Sequence, residues 1–134
     1  MVPQSNNQQL DNSIYSESII SLNPLKEYRT NNAENLIVAS LNVNSIRNKF
    51  DQLKLLVKDS LDILVLEETK LDETFPEGQF YIDGFMPPFR RDRNQYGGGV
   101  MIFVRDSIPA KVIDIDLPND IESIFVELNF NNNK

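Results

Sequence analysis

Between Leu36 and Lys70 the chain changes hydrophobic period twice. Leu36, Ile37, Val38, Ala39 and Leu41 form a nearly continuous apolar run, as do Ile63 to Leu66. A strand apolar on both faces belongs inside a sheet covered on both sides. Between the runs, Ile46, Phe50, Leu53, Leu56 and Val57 follow the spacing of one helix face, while Arg47, Asn48, Lys49, Asp51 and Lys54 fill the other. The pattern predicts a strand, a helix of about 15 residues and a parallel second strand, joined by a right-handed crossover.

Beyond Lys70, Leu71 to Gly78 reads as an irregular connection leading to a short strand over Phe80 to Ile82. Asp83-Gly84 is a turn signal, and Pro87-Pro88 keeps the following residues extended. Gly97-Gly98-Gly99 precedes Val100 to Val104, which reads as a buried strand entered through a turn or as a backbone cradle for phosphate. No Lys-Ser or Lys-Thr pair follows these glycines, so they are not a P-loop. Val112, Ile113 and Ile115 suggest a further strand, and Leu117 to Asp120 a turn. In the last strand Ile124, Val126, Leu128 and Phe130 share one side, opposite Ser123, Phe125, Glu127 and Asn129. Asn131 to Asn133 reads as a hairpin turn with no return strand before Lys134, so the chain is expected to stop within a structural unit. The fold class is α/β, with a mixed sheet around one strand-helix-strand unit.

Residues 1–34 are rich in Asn, Gln and Ser, with Ile14 to Leu22 as the one stretch suited to a brief helix. Such a composition buries too little apolar surface to offset ordering the backbone, which costs about 1 to 2 kcal/mol per residue. We therefore expect a disordered polar leader over 1–34 and a domain over 35–134. Thirteen basic against 20 acidic residues give a net charge of −7, the wrong sign for holding nucleic acid by bulk electrostatics. Any DNA contact must be local. Without cysteine there are no disulfides or thiolate metal sites, and there is no histidine for general base catalysis. The amino terminus lacks the pattern of a secretory signal, and no segment suits a membrane span. The expected protein is soluble, intracellular and not secreted.

Candidate chemistry follows from strand direction. Ligands of open α/β sheets sit outside the carboxyl ends of the strands. Asn42 closes the first run and Glu68 the second, which brings to one edge an amide able to orient a phosphate or a water and a carboxylate able to hold a hard cation. The alternative is that Asn42 and Asn44 cap the helix start and Glu68 is a solvated strand end. Phe89-Arg90-Arg91-Asp92-Arg93 is either a solvated loop or a source of guanidinium forks for DNA phosphate.

Leu41-Asn42-Val43-Asn44-Ser45-Ile46-Arg47 and Leu61 to Lys70 resemble the first two motifs of the endonuclease/exonuclease/phosphatase superfamily. Arg90-Arg91-Asp92-Arg93-Asn94 and Gly97-Gly98-Gly99-Val100-Met101, ending in Val104-Arg105-Asp106, are most similar to the apurinic-type endonuclease domain of non-LTR retrotransposon reverse transcriptases. The resemblance covers roughly residues 35 to 130. It implies the N-terminal half of a four-layer α/β sandwich, two packed sheets with helices outside, and a domain truncated at its C-terminal end. It also implies Asn42 and Glu68 as catalytic residues, Glu68 as the ligand of Mg²⁺ or Mn²⁺, and Asn44, Lys70, Arg90 and Arg91 as substrate-binding candidates. Glu67 stands where repair members often have Gln.

On this reading the chain is a fragment of a Mg-dependent DNA endonuclease domain that nicks phosphodiesters for target-primed retrotransposition, with DNA as partner of the full-length parent and a nuclear location. The family's later Asp-x-Asn pair and catalytic His have no counterpart here, so the isolated chain is expected to be inactive and to hold metal weakly. Self-association through the exposed half-sandwich face, with Ile124, Val126 and Leu128, is also expected. Two other readings stay open: a non-catalytic binding module, or part of another superfamily hydrolase such as a phosphomonoesterase or deadenylase.

Overall fold

The computed structural model describes residues 23–130. The helix expected over Ile14 to Leu22 and the turn at Asn131 to Asn133 lie outside the described residues. Within the stretch expected as leader, Pro24–Asn31 instead forms a helix, α1. Asn23 caps it, its side chain accepting from Leu25 N–H, and Pro24 supplies a preset φ in the first turn. No residue of α1 is buried. Leu25 packs partly buried against the core, and the rest of the attachment is polar: Asn23 Nδ2 donates to Leu56 O at 2.8 Å, Arg29 Nε to Ser60 O at 3.0 Å, and Arg29 pairs with Asp62 at 2.5 Å.

The central unit follows the strand-helix-strand pattern. Strands β1 (Val38–Asn42) and β2 (Ile63–Glu67) run parallel, with Val38 opposite Ile63 and Asn42 opposite Glu67. β3 (Phe89–Arg91) and β4 (Val100–Val104) are antiparallel, and β4 also lies antiparallel to β2, giving the mixed order β1-β2-β4-β3. β2 is covered as expected, with Ile63, Leu64 and Leu66 buried. β1 is not: it is the edge of the sheet, and Val38 and Leu41 remain 54 % and 40 % exposed.

Helix α2 (Phe50–Val57) has eight residues rather than about 15. Its amphipathic face is the expected one, for Ile46, Phe50, Leu53 and Val57 are buried and Leu56 packs against the same core. It is short because the residues before it bond elsewhere. Ser45 N–H donates to Glu68 O at 2.8 Å and Ile46 N–H to Thr69 O at 3.1 Å, which fastens the exit of β1 to that of β2. Phe50 meets Phe80 edge-on at 5.3 Å and stacks on Phe103 at 6.0 Å, so α2 and β4 share one aromatic core.

Phe80 to Ile82 is not a strand. Phe80 and Ile82 are buried and Tyr81 is exposed, so the alternation is present, but these residues pair with no ladder. A short 3₁₀ turn, Glu77–Gln79, turns the chain instead. β5 (Ala110–Ile113) and β6 (Phe125–Leu128) form a separate antiparallel ribbon. Ile124, Val126 and Leu128 are half-buried and Phe125, Glu127 and Asn129 exposed, as the alternation predicts, but at its two ends it fails: Phe130 is exposed and Ser123 half-buried. The fold is mixed α/β.

Candidate functional site

The exits of β1 and β2 are built from residues in unusual backbone states. Asn44, Ser45, Glu68 and Lys70 have positive φ, at 46°, 81°, 56° and 58°. Outside glycine such values are costly, and they persist where surrounding bonds over-determine them. Those bonds are present: Val43 N–H donates to Glu67 O at 3.0 Å, beside the Ser45 and Ile46 bonds already described. From the other side, Lys70 N–H donates to Gly98 O at 2.9 Å.

This backbone brings four of the expected residues together. Asn42 Nδ2 donates to Glu68 Oε2 at 2.9 Å, although the two lie 26 positions apart. Asn42 Oδ1 accepts from Asn44 N–H at 3.1 Å, and Lys70 Nζ donates to Asn44 Oδ1 at 2.5 Å. The capping alternative fails, because α2 is capped at Lys49 with no side-chain bond. Glu68 follows the last residue of β2 and is exposed.

The arginines separate. Arg90 does not reach the Asn42-Glu68 cleft: its side chain is only 10 % exposed, its guanidinium donates to Asp92 and to the carbonyls of Asp72 and Phe75, and it covers the Phe80 ring at 5.8 Å. Those donors are committed to tying β3 to the 72–75 loop. Arg91 points elsewhere, donating to the carbonyls of Ile121 and Ser123 at 3.4 and 3.1 Å. It lines a hollow of about 610 Å³ under the β5-β6 ribbon that includes neither Asn42 nor Glu68. The third arginine of the run, Arg93, does reach the site.

Arg93 lines a cleft of about 430 Å³ with Asn42, Glu67, Glu68, Lys70, Tyr96, Gly97 to Gly99 and Glu122. Tyr96 and Glu122 were missed from sequence, and Arg93 was read only as part of the arginine run. Tyr96 is 82 % exposed at the tip of the β3-β4 turn, and its position over the cleft depends on an isolated bridge between Asn94 and Gly97 that no periodicity reports. Glu122 arrives from the β5-β6 connection, distant in sequence. The three glycines act as the turn into a buried strand, as one of their two readings had it. Gly99 has φ 99°, and a Cβ there would lie 2.3 Å from Thr69 Oγ1, so glycine is required for β4 to approach the β2 exit.

Among the described residues no three His, Cys, Asp or Glu side chains form a metal cage. The donor set still suits a hard divalent cation in one way. Such ions are often held by one or two carboxylates together with substrate phosphate, and Glu68, held by Asn42 through one oxygen only, offers the other. Close to this edge, Thr74 donates to Asp72 from its hydroxyl and its N–H, which with the nearby Arg47 and Arg90 holds the Asp72 carboxyl below its ordinary pKa of 3.8.

No curated relative matches the chain. Among solved structures it is similar to a 3′-5′ exonuclease, NExo, from Neisseria meningitidis, with 33 % identity and TM-score 0.44 over 51 % of this chain and 27 % of that one. It is also similar to a 3′ phosphatase NExo from Neisseria bound to a product DNA hairpin, with 28 % identity and TM-score 0.45 over 58 % and 32 %. The chain thus spans about a third or less of the length of either. Residues 39–134, which include both strand exits and the cleft, match the Endonuclease/Exonuclease/phosphatase family, and the chain belongs to that family.

Proposed function

We infer that the Asn42-Glu68 edge is the cation- and phosphate-holding part of a phosphodiesterase site that acts on DNA with Mg²⁺ or Mn²⁺. The observation that carries this is the 2.9 Å bond from Asn42 Nδ2 to Glu68 Oε2, made by two strand exits held in strained backbone states. Asn42 fixes the carboxylate through one oxygen, and among the described residues nothing hydrogen-bonds to the other. Lys70, fixed by Asn44, supplies positive charge for a phosphate beside that oxygen. A bound divalent cation would polarise the phosphoryl oxygen and stabilise charge developing on it. The Arg90 to Asn94 run and the glycine turn favour the non-LTR retrotransposon endonuclease branch, and a nuclear protein, over a phosphomonoesterase or deadenylase.

One carboxylate, one amide and one lysine do not complete a hydrolytic set, and the chain has no histidine. Members of a cooperative catalytic set lose nearly all their effect when several are missing. The 134-residue chain by itself is therefore expected not to nick DNA. The test of the site is Mn²⁺ titration in the presence of a short oligonucleotide, read as paramagnetic broadening of amide signals. We expect broadening centred on residues 42–44 and 67–70 that disappears in Glu68→Ala. Uniform broadening, or broadening that survives the substitution, would overturn the reading. A plasmid-nicking assay tests the second claim: Mg²⁺-dependent nicking by the chain that Glu68→Ala abolishes would show that it is active alone.

A further inference from the structure

The glycine turn and the Arg93 side chain across it form a pair of anion donors that the Asn42-Glu68 edge does not use. Gly98 has φ 69°, and a Cβ there would lie 2.3 Å from Arg93 Nε, so the guanidinium lies across bare backbone. Next along the chain, Gly99 N–H donates to Glu122 Oε1 at 2.9 Å. The other oxygen of that carboxylate, Oε2, pairs with Arg93 Nε at 3.3 Å. One anion thus spans a main-chain N–H and a guanidinium with its two oxygens, which is how such donors take two oxygens of a phosphate ester. The anion here belongs to the chain itself, and it comes from a connection whose residues 114–121 are all exposed. Glu122 also adds a carboxylate to a cleft that already holds Glu67 and Glu68.

The geometry points to a second anion site, made of Gly99 N–H and the Arg93 guanidinium, that binds a phosphate group and is held in the free chain by Glu122 as an internal substitute. The identification of that phosphate as one from a nucleic-acid strand, flanking the phosphate at Glu68, rests on the phosphodiesterase reading; the donor pair does not. Ligand binding displaces Glu122 and moves the 114–124 connection away from the cleft. Glu122 is then a competitor for substrate, and removing it strengthens phosphate binding.

The test uses the full chain and two probes. Inorganic phosphate is titrated while the Gly99 amide signal is followed, in the wild type, Glu122→Ala, Glu122→Gln and the double variant Arg93→Ala/Glu122→Ala. We expect a saturating shift of Gly99 in both single variants, a weaker response in the wild type, and none in the double variant. In the second arm a labelled single-stranded oligonucleotide is followed by fluorescence anisotropy. Glu122→Ala is expected to bind roughly threefold to tenfold more tightly, with a log–log salt slope steeper by about one phosphate contact. Glu127→Ala removes the same charge from the ribbon without freeing these donors, and is expected to gain less. A Gly99 amide that phosphate leaves unmoved in both Glu122 variants overturns the site. A Gly99 response without oligonucleotide binding upholds the site and counts against the phosphodiesterase reading.

Discussion

The exits of β1 and β2 and the β5-β6 ribbon lie in the same chain but are stabilised in opposite ways. At the exits Val43, Ile46, Thr69 and Leu71 are buried, and main-chain bonds join residues 43–46 to 67–69 and residues 69–70 to the glycine turn. In the ribbon no residue from Ala110 to Phe130 is buried, and it is joined to the rest by bonds such as those of Arg91, Arg93 and Gly99. Strained backbone survives where the surroundings hold it from several sides. The exits can therefore keep Asn42 and Glu68 in fixed relation, while the ribbon can deliver or withdraw Glu122.

The widest test of this contrast is packing. Phe103 is fully buried, stacked on Phe50 and edge-on to Phe85 at 6.3 Å, whereas Val112 in the ribbon is half-exposed. Phe103→Ala is expected to cost about 3 to 5 kcal/mol, a large share of a small domain's stability. Val112→Ala should stay within about 0.5 kcal/mol. Urea unfolding of the two variants decides the matter, and equal losses would erase the distinction between the regions.

A glycine comparison comes next in size. Gly99→Ala would force a Cβ against Thr69 Oγ1 at positive φ, with an expected cost of about 2 to 4 kcal/mol. At Gly78 nothing lies within 4 Å, and the substitution should be neutral or stabilise by up to about 1 kcal/mol. Thermal unfolding of both variants measures the difference. If Gly99→Ala were as well tolerated as Gly78→Ala, the close approach of β4 to the exit would not be needed for folding.

Arg90→Lys keeps the charge but removes the planar fork, so the bonds to the carbonyls of Asp72 and Phe75 and to Asp92 cannot all be replaced. We expect a loss of about 1 to 3 kcal/mol in urea unfolding. Oligonucleotide affinity should change less than in Arg93→Lys. The reverse order would return Arg90 to the substrate-facing side.

How much of this was legible depends on which forces acted. The strand-helix-strand unit and the faces of α2 and β6 follow from apolar burial, which leaves a period in the sequence. Asn42 and Glu68 could be placed because parallel strands end at one edge. Helix α1 was hidden because it offers the core little beyond Leu25 and is otherwise held by the polar bonds of Asn23, Arg29 and Asp62. The shortened α2 follows from main-chain bonds of Ser45 and Ile46, which side-chain periodicity cannot report. The run of three arginines looked like one feature, yet Arg90, Arg91 and Arg93 separate because successive residues of a strand and its turn face different neighbours.

The smallest effect tests the loop that links the exits to β3. Asp72 accepts from Thr74 Oγ1 at 2.5 Å and from Thr74 N–H at 3.0 Å, and Arg90 binds the Asp72 carbonyl. The hydroxyl bond is the largest cause of the lowered Asp72 pKa, followed by the N–H bond. A carboxyl whose folded pKa is depressed contributes stability above its unfolded value, and that contribution fades as pH falls through the folded one. The window for Asp72 therefore lies below pH 3.8. Thr74→Ala removes the hydroxyl and keeps the N–H, so the Asp72 pKa should rise toward its ordinary value without reaching it. Carboxyl carbon shifts followed against pH in the wild type and the variant give the comparison directly. Asp72 is only partly buried, so the accompanying change in stability should be small and confined to acid. An unchanged Asp72 titration in Thr74→Ala would show that the hydroxyl does not hold the carboxylate, and would leave the Thr74 N–H as its main partner.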